Sequence, residues 1–93
     1  MLQELVDKYG FEQSFSGRNI ISKYFIEANI HVSIYTSVQV QGYIVKIYHD
    51  DDYKYEATSV EGVIKRIVEF CNFIIERNNI ENKSFEALRS LFE

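Results

Sequence analysis

The residues of this chain best suited to start chemistry are two histidines, His31 and His49, three adjacent aspartates, Asp50, Asp51 and Asp52, with Glu56 nearby, and a single cysteine, Cys71. A shared metal or a two-histidine acid–base site needs both rings to converge on one point. Both histidines fall in stretches of strand-like alternation, and a hairpin that sets His49 opposite Ile34 leaves them about 10 Å apart along the strand and on opposite faces. That spacing argues against a joint site and reads as one exposed strand histidine and one at a hairpin end. The aspartates offer oxygen ligands to a hard cation, but a calcium loop spreads its ligands over about twelve residues around a sharp-turn glycine, which is missing here. Adjacent turn carboxylates fit a solvated hairpin tip or, with Glu56, an acidic knob docking a basic surface on another protein. Cys71 lies on the apolar stripe of a long helical segment with no histidine beside it. It therefore lacks the base or positive field that makes a thiolate and reads as a small core residue. Gly62 stands alone, without the G-x-G-x-x-G or G-x-x-x-x-G-K spacing that cradles phosphate. No catalytic residue, metal ligand or cofactor is assigned.

These residues must be positioned by the elements around them. Leu2, Leu5, Val6 and Tyr9 recur at helical spacing and Gly10 closes that segment; Ser14 to Asn19 reads as a loop. Ile20, Ile21, Tyr24, Phe25 and Ala28 also follow a helical spacing and predict a second helix closed by Asn29, although their β-branched and aromatic content suits a strand as well. From His31 the period is two. Val32, Ile34, Val38 and Val40 face one way and Ser33, Tyr35, Ser37, Gln39 and Gln41 the other. A Gln41-Gly42 turn pairs Val40 with Tyr43, Val38 with Val45 and Thr36 with Ile47. A turn at Asp50–Asp52 then pairs Ile47 with Tyr55, Val45 with Ala57 and, on the outer face, Lys46 with Glu56.

Thr58 and Glu61 form a T-x-x-E capping box for a long helix whose stripe is Val60, Ile64, Ile67, Cys71 and Ile74, broadened by Phe70 and Phe73. Asn78-Asn79 ends it. Asn82 or Ser84 caps a short last helix carrying Phe85, Leu88, Leu91 and Phe92. The expected fold is a single α+β domain over residues 1–93, order ααβββαα: a three-stranded antiparallel meander with helices packed on one face.

Composition narrows the function classes. Ninety-three residues, 46% apolar and 26% charged, suit one globular domain, and one cysteine rules out a disulfide framework. The formal charge of −4 argues against a nucleic-acid binder held by phosphate contacts. The start Met1-Leu2-Gln3-Glu4 lacks a basic and apolar leader and no apolar run spans a bilayer, so a cytoplasmic protein without membrane contact is expected. Gly10 and Phe11 resemble the turn of a helix-turn-helix, but Ser16 and Asn19 stand where its packing residues are apolar. An α-β-β-β-α order resembles the double-stranded RNA-binding domain, but Glu61 stands where that family opens its last helix with lysines.

The surface remains. The sheet face away from the helices is expected to carry Tyr35 opposite Tyr48, ringed by Ile44, Lys46, Lys54 and Glu56, and tyrosines concentrate at interfaces. The leading expectation is a non-enzymatic protein-binding module. In size and composition the chain resembles small phage-encoded inhibitors, anti-CRISPR proteins among them, which implies steric occupation of a partner's basic surface, here by Asp50, Asp51, Asp52 and Glu56. One alternative is single-stranded nucleic-acid binding, with bases stacked on Tyr35 and Tyr48 beside Lys46 and Lys54. Another is a homodimer or larger assembly joined through Phe70, Phe73 and the C-terminal helix.

Overall fold

The computed structural model describes residues 2–13, 20–37, 39, 41–78 and 83–93. Helix α1 (Gln3–Tyr9) is followed by strands β1 (Glu12–Gln13), β2 (Ile20–Phe25), β3 (Ile30–Ser37), β4 (Gly42–His49) and β5 (Asp51–Ala57), then helices α2 (Val60–Asn78) and α3 (Lys83–Phe92). The strands form one antiparallel sheet in chain order, β1-β2-β3-β4-β5. The α+β class stands, but the sheet has five strands where three were expected.

The extra strands correct the second helix. Residues 20–25 are extended and pair with β3 from Ile20–Tyr35 to Phe25–Ile30. As a helix this segment would place Ile20, Ile21, Tyr24 and Phe25 on one stripe. As a strand it sends Ile21 and Phe25 to the core and leaves Tyr24 outside. The β-branched pair and the aromatics pack well on a pleated surface, and β3 offers Ile30, Val32 and Ile34 as neighbours. Here the non-local ladder outweighs a helical spacing that only five positions supported.

Both hairpin registers also differ from expectation. Val45 lies opposite Ile34, Tyr43 opposite Thr36 and Ile47 opposite Val32; Val38 and Val40 lie outside the described residues. Between β4 and β5, Ile47 meets Tyr53, Val45 meets Tyr55 and Lys46 meets Lys54. The turn chemistry explains the slip. Asn29, Gln41 and Asp50 each adopt a positive φ (54°, 52° and 61°) immediately before the next strand, so each hairpin closes on a left-handed residue. Asp51 and Asp52 thereby belong to β5 and not to the turn. Gly42 opens β4 because a Cβ there would come within 2.3 Å of the Ala57 carbonyl oxygen.

The core lies on one side of the sheet. Ile21, Ile34 and Val45 form one row and Val32 and Ile47 part of the next, all buried. Val63, Ile67, Phe70, Cys71 and Ile74 of α2 belong to the same cluster, as do Phe85, Leu88 and Phe92 of α3 and Leu5 and Tyr9 of α1. The Phe92 ring joins these parts, stacking on Tyr9 (4.5 Å between centroids) and meeting Phe25 edge-on (5.8 Å). Lys23 faces this side, and its Nζ donates to the Tyr9 carbonyl oxygen at 2.7 Å, satisfying a terminal acceptor of α1. Gly10, at φ 76°, ends α1 in a left-handed cap.

Helix α2 starts one residue later than the expected box. Ser59 Oγ accepts the Gly62 N–H at 3.0 Å and the Ser59 carbonyl accepts from Val63, so Ser59 is the N-cap. The last helix begins at Lys83, with Ser84 inside it; Asn79, Asn82 and residues 14–19 lie outside the described residues. Among the described residues, no helix is long and apolar enough to cross a membrane.

Candidate functional site

Because side chains alternate along a strand, the residues between the core positions face away from the helices. They line up in three rows. Ile20, Tyr35, Ile44 and Glu56 form the first, Ser22, Ser33, Lys46 and Lys54 the second, and Tyr24, His31, Tyr48 and Asp52 the third. In the third row Tyr24 is 51% exposed and Tyr48 55% exposed, with exposed His31 between them. The Tyr24 hydroxyl donates to the Asn29 side-chain oxygen, which ties the ring to the β2–β3 turn. Among the described residues these two tyrosines are the aromatic side chains more than half exposed.

The second row holds an unusual pairing. Lys46 and Lys54 are directly opposite each other and both exposed. Like charges in that position destabilise a sheet, and neither ammonium has an ion-pair partner within the described residues. Ser22 and Ser33 flank them in the row, so no acid within the row on β2 or β3 offsets their charge. Asp52 and Glu56 stand one row away on either side of Lys54 along β5.

The expected site residues are thus partly gathered and partly scattered. Lys46, Tyr48, Lys54, Asp52 and Glu56 share the open face. Tyr35 is half-buried and faces Ile44, not Tyr48, because the register differs; Ile44 itself is buried on this side at 4% exposure. Asp50 sits at the turn and Asp51 on the helix side of β5, where its carboxylate accepts the Asp52 N–H at 2.8 Å. Glu56 is four residues along the strand from Asp52, about 13 Å, so the acidic knob does not converge. Tyr24 and His31 were missed as site residues. The helical reading put Tyr24 on a buried stripe; the β-branched, alternating Ile20-Ile21-Ser22-Lys23-Tyr24 was the signal that could have found it.

His31 and His49 point to opposite faces. They are closer in register than expected, since Tyr48 lies opposite His31. On the helix side His49 stands with Asp50, Asp51, Tyr53, Ile74 and Arg77 around a concavity of about 280 Å³. Several of its groups are already engaged. The Arg77 guanidinium donates to the Tyr53 hydroxyl at 3.3 Å and lies over the Phe73 ring, while the His49 ring meets Phe85 and Phe70 edge-on. His49 Nδ1 is buried without a hydrogen-bond partner among the described residues, while its Nε2 lies 3.8 Å from the Asp50 carboxylate. No three metal-ligating side chains converge among the described residues.

Three further candidates resolve into packing. Burial pushes the Cys71 thiol up to about 12, with only partial relief from nearby Arg89, which keeps it protonated and inert. Gly62 allows close approach to β5, since a Cβ there would sit 3.3 Å from the Ala57 methyl. Phe70, expected at a self-interface, is 1% exposed inside the core. Comparison with protein families, with curated proteins and with solved structures finds no match.

Proposed function

We propose that the protein is a non-enzymatic protein-binding module that acts by covering part of a partner's surface with the open face of its sheet. The observation that carries this reading is the Tyr24–His31–Tyr48 row, three exposed rings side by side on the uncovered face of a sheet whose other face is filled by helices. Tyrosine anchors of this kind supply large contact area at low entropic cost. Their strands hold them in fixed register, so little order is left to impose on binding. The edge of the sheet is a poorer docking element. Arg66 caps the Glu56 carbonyl of edge strand β5 at 3.1 Å, Asp51 takes the Asp52 N–H, and charged side chains line the rest, all devices that discourage strand addition.

The test is a double substitution, Y24S/Y48S, measured against a partner captured from cells that naturally express the protein. Affinity should fall at least about tenfold, as expected for paired anchor residues, while the melting temperature moves by only a few degrees. Full affinity in the double variant would remove the open face from the mechanism.

A further inference from the structure

Resting on the reading of the open face as an interface, we infer that its occupant presents carboxylates: an acidic patch or segment of a protein, seated across Lys46 and Lys54 and flanked by Tyr48. The argument begins with the pair itself. Two ammonium groups directly opposite on adjacent strands repel each other, and the described residues provide neither with an ion pair. Asp52 and Glu56 stand about 7 Å to either side of Lys54 without an ion pair to either lysine among the described residues, so they offset the repulsion only in part. An anionic partner relieves it only in the complex, which adds electrostatic selectivity and speeds association.

The surroundings define the size of the anion. Asp52 and Glu56 lie on the same face of β5, two residues to either side of Lys54, about 7 Å each way. Glu12 closes the lysine row at the far end of the sheet, opposite Ser22. One or two carboxylates fit between these acids; a polyphosphate backbone crossing the face would run over them. The aromatic row lies about 7 Å from the lysines along β4, since Tyr48 follows Lys46 by two residues. A partner segment with an acid beside an apolar or aromatic group therefore meets both rows at once. This reverses the charge expected of the partner from the Asp50–Asp52 run, because those acids diverge while the cations are gathered.

The experiment titrates isotope-labelled protein at low ionic strength with three probes: blocked hexaglutamate, blocked hexalysine and a thymidine decanucleotide. Amide and side-chain ammonium resonances report where each binds. Hexaglutamate should perturb Lys46, Lys54 and Tyr48, and K54E should weaken it at least about tenfold. K54E places an acid opposite Lys46 but also between Asp52 and Glu56 on its own strand, so K54Q, which removes the charge without adding an acid, is measured beside it and thermal melts of both variants separate lost binding from lost folding. Absence of hexaglutamate shifts at the two lysines overturns the inference. So does hexalysine binding at Asp50–Asp52, which restores a basic partner, and so does tighter binding of the oligonucleotide, which makes the face a nucleic-acid platform. With a captured partner, loss of binding in Y24S/Y48S but not in K54E leaves the open-face reading intact and the acidic occupant disproved.

Discussion

The two faces of the sheet are built from the same strands, and neighbouring residues of β4 show how differently they are used. Val45 and Ile47 are 0% and 1% exposed beneath α2, while Lys46 and Tyr48 between and beside them are exposed. On the covered face, packing is close and a half-buried polar group finds a partner: Lys23 donates to the end of α1, and rings from α1, β2 and α3 interlock around Phe92. On the open face, two lysines oppose each other without an ion pair among the described residues and two tyrosines are more than half exposed. The first face carries the closer packing, although His49 Nδ1 is buried there without a hydrogen-bond partner among the described residues. The second leaves local stability ungained.

Substitutions should separate the faces by magnitude. Phe70, buried among Tyr53, His49 and Phe85, should lose about 3–5 kcal/mol of stability on truncation in F70A, readable by urea unfolding. An effect below about 1 kcal/mol would mean that the covered face is loosely packed. Cys71 supplies a pH signature for the same face. Its folded thiol is pushed up to about 12 from 9.0, so the folded state favours the protonated form. The stability this contributes is fully present below pH 9 and is lost as pH rises from there toward 12. The wild type should lose melting temperature above pH 9 more steeply than C71A, and iodoacetamide should label Cys71 only as the protein unfolds. Parallel pH curves for the two proteins would contradict the burial.

Smaller effects follow. K23M removes the donor to the Tyr9 carbonyl and should cost about 1–2 kcal/mol, seen in thermal melts with faster hydrogen exchange in α1. On the open face the effect should be smallest: K46S, which removes the cross-strand repulsion and leaves Lys54 between Asp52 and Glu56, should change stability by no more than about 0.2–1 kcal/mol. A larger loss in thermal melts would show that the lysines are held by the fold for its own sake, and the contrast between faces would weaken.

Much of this arrangement was legible in the sequence. The two hairpin registers were misplaced, Val38 for Ile34 opposite Val45 and Tyr55 for Tyr53 opposite Ile47, yet each slip was an even number of residues. Period-two alternation therefore kept Val32, Ile34, Val45 and Ile47 inside and Lys46, Tyr48 and Lys54 outside. The site was less legible. Tyr24 was hidden by the helical reading of 20–28, and His31 seemed an isolated strand residue because its neighbours across the sheet, Tyr24 and Tyr48, were assigned elsewhere.

What the chain determined locally is the α+β class, the side of the sheet that Val32, Ile34, Val45, Ile47, Lys46, Tyr48 and Lys54 face, the end of α1 at Gly10 and much of the apolar stripe of α2. All of these depend on repeats of two or 3.6 residues and on end residues that act within a few positions. Only the tertiary structure decided that residues 20–25 form a strand, that Lys46 meets Lys54, and that Tyr24, His31 and Tyr48 share a row. Those facts depend on register, which is set by left-handed turn residues and by packing across strands, and no short stretch of sequence contains both sides of a ladder.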